Sequence, residues 1–88
     1  MRQLEYMRIL YTVRAREDLE GLPREIQKRI AIKMRFFEKQ NEVLRFAKRL
    51  HDAREGEFRF RVGDYRIFFD VVRGTIYILT IKHRSNSY

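Results

Sequence analysis

The sequence predicts an α+β fold: an N-terminal strand, then a helical hairpin packed on a small antiparallel β-sheet. Three observations carry this. Residues 9–13, ILYTV, are rich in strand formers and lie near the start of the chain. A helical stripe of Ile26, Ile30, Met34 and Phe37 occupies the middle. From Phe58 onward, apolar and polar residues alternate with a period of two, interrupted at Gly63-Asp64 and Arg73-Gly74.

Residues 1–88 read as a single domain, with Met1–Met7 as an extension ahead of the patterned sequence. Ile9–Val13 is the opening strand. The segment RAREDLEGLP then turns helical, with Ala15 and Leu19 one turn apart. Gly21 stands where a helix stops and Pro23 where the next one starts, because proline suits the first turn and glycine the end. The stripe predicts a long amphipathic helix from Pro23 to about Gln40, broadened by Ile32 and Phe36, and paired with the first as a hairpin. Residues 41–50, NEVLRFAKRL, fit either a short third helix or an irregular basic segment packed by Leu50.

Phe58–Val62, Tyr65–Val72 and Thr75–Ile81 are the remaining strands. If Gly63-Asp64 is a two-residue loop, Phe58, Phe60 and Val62 face Phe69, Ile67 and Tyr65. A two-residue turn at Arg73-Gly74 continues this apolar face onto Ile76, Ile78 and Thr80. The opposite face then sets Arg61 directly across from Arg66 and Arg59 across from Phe68, with Ile81 beside Arg66 and His83 on the same side. A slip of one residue would drive these arginines into the core, so the register is well specified.

The 88 residues are 44% hydrophobic, with seven Phe and five Tyr, enough for one modest core. There is no cysteine, which excludes disulfides and thiolate metal sites. The two histidines lie in no metal-ligand spacing, so neither a metal site nor a cofactor is expected. No apolar run approaches the roughly 20 residues of a membrane span, and no signal-peptide core is visible. The expectation is a soluble cytoplasmic protein with no membrane partner. Twenty Lys and Arg against twelve Asp and Glu leave a charge of +8. A solvated, heavily charged surface would account for the 36% charged content but not for the excess of one sign, which favours an anionic partner.

Like charges opposed across strands cost stability, so clustered arginines on a sheet face call for a compensating ligand. Guanidinium groups bind phosphate oxygens bidentately and keep their proton. Phe68, Tyr77 and Leu79 on the same face offer bases a surface, which suits single-stranded RNA. Lys48, Arg49 and Lys82 extend the basic set as candidate RNA or phosphate contacts, beside Arg61. In the tail IKHRSNSY, His83 can move a proton near neutrality. His51 lies in the RLHDAREG connection and draws less interest.

Strand, helical hairpin, the motif FRFRVGDYRIFF and the tail HRSNSY, together with AREDLEGLP at the front, resemble the RelE/ParE toxin superfamily from about Ile9 to Tyr88. The resemblance implies a toxin of a type II toxin–antitoxin pair. RelE-like members cut mRNA in the ribosomal A site without metal, by attack of the 2′-hydroxyl on its own phosphodiester, leaving a 2′,3′-cyclic phosphate. By position it implies that Arg66 stabilises the transition state, that Arg59 stands at a sheet position basic in active members, and that Arg84 aids the leaving group. It also implies that Tyr88 orients the scissile nucleotide and that His83 is an acid or base. Glu57 stands where an active relative can carry lysine, which makes it a candidate general base or a partner of Arg59. The implied partners are a cognate antitoxin and the ribosome with its mRNA and rRNA. Two other functions fit the same superfamily: a ParE-like inhibitor of DNA gyrase, and a relic that only binds its antitoxin.

Overall fold

The computed structural model describes residues 6–52 and 54–86. Most of the expected extension and the whole of Tyr88 therefore lie outside the described residues. The chain runs β1 (Arg8–Tyr11), α1 (Val13–Glu20), α2 (Arg24–Glu38), a 3-10 turn (Val43–Phe46), β2 (Lys48–Arg49), β3 (Phe58–Val62), β4 (Tyr65–Val72), β5 (Thr75–His83) and a final 3-10 turn (Arg84–Asn86). One five-stranded sheet has the order β1-β5-β4-β3-β2. Strands β2 to β5 are antiparallel, and β1 joins the outside of β5 in parallel.

The opening strand ends one residue before Thr12, which caps α1. Its hydroxyl accepts a hydrogen bond from the Ala15 N–H at 3.1 Å, satisfying one orphan donor of the first turn, and donates to the Ile78 carbonyl at 2.9 Å. Strand β1 runs alongside only Thr75–Ile78 of β5. Beyond it, α1 serves the edge of β5: the Asp18 carboxylate accepts the Ile81 N–H at 3.0 Å. On the outer edge of β1, Glu38 at the end of α2 accepts the Ile9 N–H at 2.8 Å. Backbone groups that would be orphaned on a sheet edge are thus met by helix side chains.

Both helices cover one face of the sheet. Ala15, Ile30, Met34 and Phe37 pack with Phe60, Ile67, Phe69, Ile76 and Ile78 in a single buried cluster. The Phe37 and Phe60 rings stack at 4.0 Å, and Phe60 stacks on Phe69 at 4.4 Å. The expected α2 stripe therefore reaches the core, with Ile26 at its margin. Ile32 and Phe36 do not broaden it; they are 64% and 41% exposed, because they lie on the side of α2 turned away from the sheet. The basic 41–50 segment is neither a full helix nor wholly irregular. Val43 opens the 3-10 turn and is buried, and Lys48 and Arg49 form the edge strand. No helix among the described residues is long and apolar enough to cross a membrane.

Candidate functional site

The first hairpin has the register its loop dictates: Arg61 opposite Arg66, Arg59 opposite Phe68, Phe60 opposite Ile67. Gly63 takes φ 58°, a left-handed conformation that glycine adopts without steric cost. With Phe60 and Ile67 buried against the helices, Arg59, Arg61 and Arg66 are committed to the other face. Lys48 joins them, since it lies opposite Arg59 across the β2–β3 pair. Arg49 does not. It lies opposite Phe58 and holds its guanidinium 5.4 Å from that ring.

The second hairpin departs from uniform pairing. Phe69 opposes Ile78, but Phe68 opposes Thr80, so Leu79 is an extra residue in a β-bulge. The bulge sits where Thr12 and α1 meet β5, and it shifts every pair beyond it by one. Ile81 therefore opposes Ile67 on the core face instead of neighbouring Arg66 on the basic face. Lys82 takes the place opposite Arg66. His83 opposes Tyr65 on the helix-side face, its ring edge-on to Tyr65 at 5.2 Å, and does not share the arginine face. The Nδ1 of His83 lies 3.2 Å from the Ser85 backbone nitrogen and 2.9 Å from the Ser85 hydroxyl.

On the basic face, Arg59, Arg66, Lys82 and Phe68 line a basin of about 510 Å³ together with Leu50, His51, Asp52, Arg54 and Glu55. Phe68 is its floor, only 4% exposed although it points away from the core. The Lys82 ammonium lies 6.0 Å from the Phe68 ring. A second cleft of about 190 Å³ is lined by Arg61, Gly63, Asp64, Arg66 and Arg84. Arg66 belongs to both hollows. Arg84 is anchored at the hairpin turn, its N–H donating to the Asp64 carbonyl at 2.7 Å and its guanidinium 3.9 Å from the Asp64 carboxylate. Glu57 lies elsewhere: its carboxylate accepts the Val71 N–H at 3.0 Å and its own N–H donates to Asp70 at 2.9 Å. Tyr77, opposite Asp70, lines neither hollow.

A model of the ParE toxin of type II toxin–antitoxin systems, parDE, matches residues 9–88. The chain belongs to the RelE/ParE toxin superfamily. This toxin is 33% identical over 82 residues to Toxin RelG of Mycobacterium tuberculosis, a match covering 91% of this chain and 93% of that one. It superposes on the toxin–antitoxin complex RelBE2 of the same organism with TM-score 0.72 and 31% identity, covering 89% of this chain and 98% of that chain. The RelB–RelE complex of Methanococcus jannaschii gives TM-score 0.68 at 27% identity, covering 86% and 91%. The archaeal RelE–RelB complex of Pyrococcus horikoshii shares the fold, with TM-score 0.71 at 23% identity, covering 93% and 99%.

What sequence reasoning missed in the toxin is the connection between β2 and β3. It closes through the Leu50 N–H on the Glu57 carbonyl at 2.9 Å and folds over the basic face, bringing His51, Asp52, Arg54 and Glu55 to the basin. Gly56 pins it. This residue is buried with φ 145°, and a Cβ there would meet Phe69 backbone atoms at 3.1 and 3.2 Å. Asp52 and Arg54 pair with one another at 2.6 Å, and these hydrogen bonds hold the Asp52 carboxyl below its ordinary range. Glu55 forms an ion pair with Lys82. The available signal was Gly56 itself, directly ahead of a strongly alternating strand.

Proposed function

We propose that this toxin is a ribosome-dependent mRNA endoribonuclease whose site is the basin on the basic sheet face. The observation that carries the proposal is the convergence of Arg59, Arg66 and Lys82 around the Phe68 floor, with Arg61 and Arg84 around the adjoining cleft. Such a surface fits a bent, unpaired strand: one phosphate among guanidinium groups, and a base against the aromatic floor.

In this mechanism a 2′-oxygen attacks the neighbouring phosphorus while its proton passes to a base. The P–O5′ bond breaks, and the 5′-oxygen leaves with a proton. The products are a 2′,3′-cyclic phosphate and a 5′-hydroxyl. The pentacoordinate intermediate carries more charge than the starting diester, and Arg66 and Arg59 are suited to stabilise that increment with fixed donors. Arg61 and Arg84 would hold the next phosphate. Of the two histidines, His51 lines the basin and His83 does not, so in this mechanism the proton transfer falls to His51. Tyr88 keeps the role that the resemblance gave it, of orienting the scissile nucleotide. The toxin would act in the cytoplasm, where its +8 charge draws it to ribosomal RNA. A cognate antitoxin is part of the proposal, because two solved relatives above 25% identity are toxin–antitoxin complexes.

The match of residues 9–88 to the ParE model favours one other function, inhibition of DNA gyrase. Purified toxin in a reconstituted translation system, with mRNA ends mapped by primer extension and their chemistry identified, separates the two. Cuts at A-site codons bearing 2′,3′-cyclic phosphate support the nuclease. Intact mRNA together with inhibited supercoiling by gyrase supports the ParE-like function.

A further inference from the structure

A basin built for anions has an anion of its own. Glu55 is ion-paired with Lys82, which stands directly across from Arg66. The Lys82 and Glu55 side chains are 29% and 33% exposed, so the pair is partly buried. Its geometry is imposed by the fold. The next residue, Gly56, is wedged against Phe69 and the bulged Leu79, and the connection is closed by the Leu50–Glu57 hydrogen bond. Of the connection's other carboxylates, Asp52 is held by Arg54 through hydrogen bonds of 2.8 and 3.0 Å, and Glu57 accepts the Val71 N–H. Glu55 is therefore the carboxylate that the connection delivers to Lys82, the cation across the sheet from Arg66.

We propose that Glu55 is an internal competitor for the basin's phosphate site. In the free toxin its carboxylate occupies Lys82. An incoming RNA phosphate takes Lys82 only by displacing it, so binding is an exchange of one anion for another. The exchange disfavours any ligand that offers a single phosphate. A strand that also fills the Arg61–Arg66–Arg84 cleft offsets the loss with its second phosphate and keeps useful affinity despite the competitor. This inference rests on the proposal that the basin receives an RNA phosphate, and it concerns binding only.

The test is a binding measurement on the full chain with a 2′-O-methyl hexaribonucleotide, which lacks the attacking hydroxyl and cannot be cut. Glu55→Gln keeps the side-chain shape and removes the charge. It should tighten binding roughly two- to fivefold at low salt, the range for a partly exposed ion pair, and the gain should shrink as salt rises. In a Lys82→Met background the gain from Glu55→Gln should vanish, since the competition is for that ammonium. Thermal melts of all four proteins establish folding. Glu55→Ala, which also removes the charge, replaces Glu55→Gln if that variant fails to fold, and Lys82→Gln replaces Lys82→Met. Three results overturn the proposal: unchanged or weaker binding in Glu55→Gln, an equal gain with and without Lys82, or no binding by either wild type or Glu55→Gln. Because the assay contains no ribosome and no cleavage, a failed nuclease assay leaves its outcome standing, and mRNA cleavage that is intact beside an equal gain in both backgrounds removes the competitor alone.

Discussion

Arg61 and Arg66 lie directly opposite one another on the β3–β4 hairpin, two guanidinium groups on one sheet face where a neutral pair would be more stable. Hydrophobic packing holds them there. Phe60 and Ile67, their neighbours in the two strands, are fully buried, and a shift that separated the arginines would expose both. The fold thus holds two positive charges face to face on one side of the sheet.

The first prediction concerns that cost. Arg61→Gln should leave the toxin as stable as wild type or more so, by up to about 0.5 kcal/mol at low salt, with the difference fading at high salt. The same substitution should weaken binding of single-stranded RNA and flatten its salt dependence by roughly one phosphate contact. Urea midpoints and binding isotherms at two salt concentrations measure both.

The histidines divide by position. His51→Ala should slow mRNA cleavage by about 100-fold, the lower range for loss of an acid–base group. His83→Ala, whose ring packs on Tyr65 away from the basin, should change the rate far less. Single-turnover cleavage rates of the two variants make the comparison.

Gly56 should tolerate no side chain. Gly56→Ala forces a residue with a Cβ into φ 145° and against the Phe69 backbone, and should cost about 1–3 kcal/mol. The damage should be concentrated in the connection, with amide exchange accelerating at Leu50 and Glu57 before it does in α2.

The pH response of stability should show itself at the alkaline end. Burial, together with the nearby Glu38 carboxylate, raises the Tyr11 phenol above its ordinary value of 10.0. Above that pH the unfolded chain releases a proton that the folded chain still holds, so stability is complete below the unfolded value and declines as pH rises through the folded one. Tyr11→Phe should remove that part of the decline, seen as a smaller difference between urea midpoints at pH 9 and pH 11.

Much of this was legible in the sequence because strong patterns fixed it. A stripe of four apolar residues defined the buried face of α2, and the Gly63-Asp64 loop set the pairing of Arg61 with Arg66. Two features escaped for physical reasons. The bulge at Leu79 coincides with the contact of β5 with Thr12, a tertiary contact that strand alternation does not encode. It moved Ile81 into the core, His83 off the basic face and Lys82 onto it. Among the described residues, the fold of the Leu50–Glu57 connection rests on the Leu50–Glu57 backbone hydrogen bond, side-chain bonds of Glu55 and Glu57, and a glycine in an unusual conformation, none of which has a periodic signature.

The most direct test of the account is cleavage mapping with Arg66→Ala, since Arg66 is the residue common to the basin and the cleft. Wild-type toxin and a folded Arg66→Ala variant would be added to translating ribosomes, and mRNA ends read by primer extension. Wild type should give A-site cuts, and the variant should lose at least about 100-fold of that activity, as for removal of one fixed oxyanion donor. Cuts of undiminished strength and unchanged position in Arg66→Ala would contradict the account.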